Sequence, residues 1–180
     1  MTPFGSPDTR LIVLRGNSGS GKSSVARALR QAYGYGLAWV EQDYLRRILL
    51  REHDLPDAAN IGLIEQTVRY ALNHGFHVVL EGILYTDHYG GMLRGLQRDH
   101  VGTTRFYYFD LDFEETARRH ATRPQATEFS VDDMKPWFRA CDTLNVPQEQ
   151  IFDASLSLEN VTGLILQNMG PERSNKITSL

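Results

Sequence analysis

A single cysteine, Cys141, leaves the chain no partner for an internal disulfide and no thiolate set for a zinc centre. Cys141 is expected to be a small apolar residue, buried or half-buried. No apolar run approaches the ~18 residues that a membrane span needs. Residues 1–8 carry Pro, Gly and Ser without the apolar core of a signal peptide, so a cytoplasmic chain with no membrane partner is expected. Cations are in no excess: 19 Lys+Arg against 22 Asp+Glu give a net charge of −3. That balance argues weakly against a surface built to coat nucleic acid. Disorder is excluded from the other direction, because 41% of residues are hydrophobic and the net charge is small. With 180 residues and neither repeat nor linker, one domain is expected over 10–170, between a flexible N-terminus (1–9) and a flexible tail (171–180).

Four short continuous apolar runs stand out, at 10–15, 36–42, 76–80 and 105–109, with a shorter fifth at 150–152. Unalternated runs bounded by turn residues suit strands covered on both faces. Helical spacing recurs between them, over 23–33, 61–74, 89–100, 112–120 and 158–169. Gly75 and Gly170 act as stops, Ser157 as an N-cap, and Asp112 with Glu115 stand at capping-box spacing. Strands alternating with helices predict a five-stranded parallel sheet with helices on both faces, in three layers.

The strongest local signal is Gly16-Asn17-Ser18-Gly19-Ser20-Gly21-Lys22-Ser23, a full match to G-x-x-x-x-G-K-[ST] between a strand and a helix. Glycines let successive N–H groups turn inward onto phosphate oxygens, and the helix adds its own free N–H groups and positive end. Lys22 supplies a cation for the outer phosphates. The Ser23 hydroxyl suits Mg²⁺, which prefers hard oxygen ligands. Ser24 completes the loop's expected nucleotide contacts. The Asn-Lys-x-Asp segment of guanine-specific switches has no counterpart; Asn175-Lys176-Ile177-Thr178 lacks the Asp and falls in the tail.

In open parallel sheets the ligand crevice lies at the carboxyl ends of the strands. Asp43, Glu81 and Asp110 stand at three such ends. Asp43 suits the base that takes the acceptor's proton, and it equally suits an N-cap for a helix starting at Tyr44. Glu81 suits a substrate hydroxyl or a magnesium-bound water, with Gly82 after it permitting close approach of a ligand. Arg119 and Arg123, four apart on a helix, suit the charge that builds during phosphoryl transfer, and Arg118 lies beside them. Pro124 to Phe138 has the mixed character of a lid, placed at about 122–138. Arg46, Arg47, Arg51, His53, Tyr85, His88 and Tyr89 are expected around the acceptor, with Leu45, Ile48 and Leu49 in the core. Asp43, Arg46, Arg47, Glu81 and Tyr85 are the candidate acceptor-binding set.

On Gly16–Ser23, Asp43 within Glu41–Arg46, Glu81-Gly82, Phe109-Asp110, Arg119 with Arg123, and Phe152–Ser155, the chain resembles the small P-loop kinases. Those include zeta-toxin-type kinases, chloramphenicol phosphotransferase, polynucleotide kinase and AAA-type ATP-binding kinase-like proteins. The resemblance runs from about Leu11 to Leu166. It implies a P-loop NTPase fold with a small lid, ATP and Mg²⁺ as cofactors, Asp43 as base, and Arg119 and Arg123 on the ATP phosphates. It also implies Ala154 and Ser155 near the adenine. It leaves the acceptor open between a hydroxyl- or phosphate-bearing small molecule and a nucleotide or polynucleotide 5′ end, the latter admitted but not favoured. A regulatory nucleotide-binding protein, and a monomer or a homodimer, stay open as well.

Overall fold

The computed structural model describes residues 2–122, 127 and 129–170. Five strands are joined by helical crossovers: β1 (Arg10–Gly16), β2 (Leu37–Glu41), β3 (His77–Glu81), β4 (Thr103–Phe109) and β5 (Glu149–Phe152). They pair in the order β2-β3-β1-β4-β5, and every pairing is parallel. The sheet is the five-stranded parallel one expected, in an α/β fold of the P-loop NTPase type. The helices are α1 (Lys22–Tyr33), α2 (Ala59–Asn73), α3 (Thr86–Asp99), α4 (Phe113–His120), α5 (Val131–Met134) and α6 (Leu158–Met169). A π-helical segment, Tyr44–Leu49, follows β2, and a short 3₁₀ turn, Lys135–Trp137, follows α5.

Side chains alternate across a strand, so a strand in a middle layer must be apolar at every position. That is why β1 reads Leu-Ile-Val-Leu. Leu11 and Val13 enter one core with Val78, Leu80 and Phe106, covered by α2 and α3 through Ile64, Val68, Leu93 and Leu96. Ile12 and Leu14 enter the other with Val79 and Tyr107, covered by α1 and α6 through Val25, Leu29 and Ile165.

Boundaries differ from the sequence reading by one to three residues. α3 begins at Thr86 rather than Tyr89, and α1 at Lys22 rather than Ser23. Ser157 caps α6 through the Asn160 N–H at 3.1 Å. Only half of the expected capping box forms on α4. Asp112 accepts the Glu115 N–H at 2.7 Å, but the Glu115 carboxylate turns to Arg118 and Arg119 instead. Ionised guanidinium partners outcompete a neutral backbone N–H.

The expected loose N-terminus is instead packed down. Phe4 is buried, bridges His100 and lies under the Arg69 guanidinium, while Thr9 is buried against His100. The tail at 171–180 lies outside the described residues. Among the described residues, no helix is long and apolar enough to cross a membrane.

Candidate active site

The glycine-rich loop closes the gap between β1 and α1, and its shape follows from three left-handed glycines. Gly16, Gly19 and Gly21 have φ of 139°, 85° and 100°, values that side-chain-bearing residues rarely adopt. At Gly19 a Cβ would stand 2.5 Å from the Thr116 carbonyl oxygen of α4, so the loop and α4 fit only without one. Lys22, buried, donates to the Asn17 carbonyl at 2.8 Å and to the Ser20 hydroxyl at 3.2 Å. The lysine is thereby held over the bowl of the loop by groups that a phosphate oxygen can replace.

Strand register brings Glu81 to this loop: it pairs with Leu14 of β1 on one side and Glu41 of β2 on the other. Glu81 is buried and accepts the Ser23 hydroxyl. Burial pushes its carboxyl above the usual range; Lys22 and the Ser23 hydroxyl oppose that shift, while Glu41 and Asp43 add to it. The Ser23 hydroxyl and the Glu81 carboxylate form an oxygen-only donor set, which fits Mg²⁺ shared with a substrate phosphate. Among the described residues, no cluster of three or more His, Cys, Asp or Glu could hold a metal by itself.

Gly82 has a different role from the one expected. A Cβ there would run into the Gln42 side chain, so the glycine makes room for Gln42 rather than for a ligand. Gln42 is buried, donates to the Tyr89 hydroxyl at 2.8 Å, and accepts the Leu84 N–H at 3.2 Å. Tyr89, expected on the acceptor wall, is instead fully buried with its hydroxyl among Gln42, Asp54 and Asn60.

Asp43 stands at the tip of β2 but caps nothing with its side chain. Its carboxylate pairs with Arg46 at 3.0 Å and Arg47 at 3.7 Å, and remains more than half exposed. Asp110 does not join Asp43 and Glu81; its carboxylate accepts the Cys141 thiol at 3.5 Å. Cys141 is exposed, at φ 52°, rather than buried or half-buried as expected. The carboxylate pushes that thiol's pKa up. The segment after Asp43 also departs from expectation: Leu45 packs on the core, but Ile48 and Leu49 are exposed.

On the other side of the loop, Arg119 donates to the Ser20 carbonyl at 3.3 Å and is fixed by Glu115 at 2.6 Å. Arg118 shares Glu115 but is largely exposed, so Arg119 is the arginine that meets the loop. The paired guanidiniums hold the Glu115 carboxyl down to about 2. Arg123 lies outside the described residues, as does part of the expected lid. A cleft of about 290 Å³ opens here, lined by Gly19, Gly21, Ser24, Arg119, Phe109 and Leu158 among others. Phe152 reaches this cleft from the end of β5, and Asp153 and Leu156 from the turn after it. Ala154 and Ser155 belong to the same turn, with Ser155 bonded back to Asp153.

Two arginines that the sequence reading did not single out organise the rest. Arg15, at the end of β1, is fully buried and pairs with Glu149 at 2.7 Å and Asp142 at 3.4 Å. It also donates to the Leu84 carbonyl and to Thr86. It thereby ties β1, the β3–α3 turn and the approach to β5 together. Arg139 clamps the loop through its backbone: Asn17 donates to its carbonyl at 2.7 Å and accepts its N–H at 2.9 Å. Its guanidinium lies 3.9 Å over the Tyr85 ring and pairs with Asp87 at 2.7 Å. The Tyr85 hydroxyl donates to the Trp137 carbonyl at 2.6 Å, and burial pushes its pKa up to about 12. An arginine embedded in an apolar strand was the available signal for Arg15; for Arg139 there was none, since its role is carried by backbone atoms.

The AAA domain family (AAA_33) matches residues 11–141, well over half of the chain. No curated protein was found to match it by sequence. Solved structures share the fold. An APS kinase of Mycobacterium tuberculosis, in complex with AMPPNP and APS, superposes with a TM-score of 0.68 at 18% identity, covering 93% of this chain and 98% of that one. A sugar kinase of Janibacter gives 0.64 at 17%, covering 88% and 93%. A gluconokinase of Sinorhizobium meliloti gives 0.59 at 20%, covering 94% and 93%.

Proposed function

The chain belongs to the AAA domain family, and on that premise we propose that it is an ATP- and Mg²⁺-dependent kinase that phosphorylates a hydroxyl of a small-molecule acceptor. The observation that carries this reading is the grouping at the strand ends. Lys22, Ser23 and Glu81 meet at the loop, Asp43 stands at the next strand tip, and Arg119 reaches the loop from the opposite side. A nucleotide that is only bound and released needs the loop; it does not need an exposed carboxylate at a neighbouring strand tip.

In this reading the loop N–H groups, the amino end of α1 and Lys22 hold the phosphate chain. Bound Mg²⁺ would neutralise phosphate charge, with Ser23 and Glu81 as its protein-side oxygens. Asp43 takes the proton of the acceptor hydroxyl as that oxygen bonds to the γ-phosphorus and the bond to the β-phosphate bridge breaks, releasing ADP. Arg119 faces the charge on the phosphoryl oxygens.

The test is a panel of sugars, nucleosides, alcohol-bearing natural products and a 5′-hydroxyl oligonucleotide, incubated with ATP and Mg²⁺ and scored by mass spectrometry for one added phosphoryl group. Asp43→Asn is expected to lower acceptor-dependent turnover by about 10²–10⁴-fold while ATP affinity is kept. Unchanged turnover removes Asp43 as the base. A product on the oligonucleotide alone moves the protein to the polynucleotide 5′-kinases.

A further inference from the structure

Resting on the kinase reading above, we infer that the acceptor is an uncharged hydroxyl compound rather than a phosphorylated one. Arg46 and Arg47, taken by themselves, would suit an anionic acceptor. In the fold those cations are already engaged by carboxylates of the same wall. Arg46 and Arg47 both face Asp43, and Arg139 faces Asp87 at 2.7 Å. Arg139 is additionally laid flat on Tyr85.

Asp54, His88 and Glu52 are engaged as well, and Arg51 stands apart from these pairs. Asp54 accepts the Tyr89 hydroxyl at 2.8 Å and stands 3.5 Å from His88. The other His88 ring nitrogen lies 3.7 Å from Asp87. Glu52 is spent on the amino end of α2, taking the Ala59 and Asn60 N–H groups at 2.8 Å each. Arg51, past the π-helical segment, is exposed to solvent at φ 53°.

An anionic acceptor would meet Asp43 or Asp87 as a like charge beside each of these arginines. A neutral hydroxyl meets no such repulsion, and a carboxylate that keeps its guanidinium partner still has lone pairs to accept an O–H. The same segment also exposes apolar side chains. Tyr44, Ile48, Leu49 and Leu55, within twelve residues of Asp43, are each more than half exposed. Scattered apolar side chains on a surface are ordinary; four on one short segment beside a candidate base form a patch that the body of an uncharged acceptor can cover.

The experiment uses the full chain saturated with AMPPNP and Mg²⁺, so that the phosphate-binding loop is filled. Inorganic phosphate is then titrated calorimetrically into wild type, Asp87→Asn, Arg139→Ala, Arg51→Ala and Asp87→Asn/Arg139→Ala. Wild type is expected to bind phosphate no better than Arg139→Ala or Arg51→Ala. Asp87→Asn, which releases the Arg139 guanidinium, is expected to bind it at least tenfold tighter, and the double variant to lose that gain. Wild-type binding that Arg139→Ala or Arg51→Ala weakens tenfold overturns the inference, since the wall then offers a cation to anions. No gain in Asp87→Asn also overturns it, because the pairing would not be what withholds the arginine. The loading step tests nucleotide binding on its own, so the kinase reading and the acceptor class fail on different measurements.

Discussion

The loop at 16–23 and the segment at 42–55 hold their shapes by different means. The loop is shaped by backbone: positive-φ glycines, the amino end of α1, and a buried lysine that folds back on carbonyl and hydroxyl oxygens. The segment at 42–55 is shaped by side chains that engage one another, with Asp43 against Arg46 and Arg47 and Gln42 against Tyr89. In the proposed function the backbone cradle would take what every nucleoside triphosphate shares, and the side-chain pairs, free to vary, would select an acceptor. Arg15 and Arg139 tie β1 and the loop to their surroundings, Arg15 by pairing with Glu149 and the Leu84 carbonyl and Arg139 by clamping Asn17 while covering Tyr85.

The sharpest way to separate the two regions is Lys22→Ala. It is expected to lower turnover by about 10²–10³-fold, as loss of a preorganised charge at a developing anion does. Tritiated or fluorescent ATP binding should fall with it, whereas Asp43→Asn should spare ATP binding. If both variants lose ATP binding alike, the division between donor and acceptor sides is wrong.

Next in size is the buried ion pair at the end of β1. Arg15→Ala leaves Glu149, itself buried, without its charged partner, and breaking a buried pair in this way costs about 3–5 kcal/mol. Denaturant unfolding is expected to show that loss. A change within ~0.5 kcal/mol would show that the buried Arg15–Glu149 pair does not hold the fold together.

Gly19→Ala tests the loop alone. The substituted residue must hold φ near 85° and meet the Thr116 carbonyl, which strains the backbone by about 1–3 kcal/mol. Nucleotide affinity is expected to fall together with stability, while Gly62→Ala, on α2 with no atom within 4 Å of the added carbon, should leave nucleotide affinity alone.

The smallest expected effects are in pH dependence, and the two acids differ in sign. Glu115 has its folded-state pKa depressed to about 2 from 4.5, so the stability it adds is present above about 4.5 and lost as pH falls toward 2. Glu81 has its folded-state pKa raised, so the folded state keeps a proton the unfolded chain has released, and its contribution declines as pH rises past 4.5. Thermal melts across pH should therefore show Glu115→Gln narrowing the loss of stability on acidification. Glu81→Gln should melt no lower than wild type at neutral pH while Mg²⁺-dependent turnover drops. A lower melting point for Glu81→Gln at pH 7 would show that the carboxylate stabilises the fold.

Much of the architecture was legible because it follows from local rules. A strand covered on both faces must be apolar throughout, and a triphosphate cradle must carry glycines where φ is positive, so 10–23 announced both strand and loop. What was misread follows from partners distant in sequence. Gly82 looked like space for a ligand and is space for Gln42, forty residues earlier. Tyr89 looked like an acceptor contact and is locked inside by Asp54 and Asn60. Ile48 and Leu49 looked like core, yet the π-helical turn after Asp43 shifts them to the surface.

Residue order alone was enough to settle the parallel sheet, the phosphate-binding loop and the acids at the strand ends, because strand burial and phosphate capture each constrain neighbouring residues along the chain. Which arginines are engaged, which tyrosine is buried, and that Arg139 grips Asn17 were decided only in the fold, the last across more than a hundred residues. Charge pairing acts through space over a few ångströms, and no local pattern records which carboxylate will stand there.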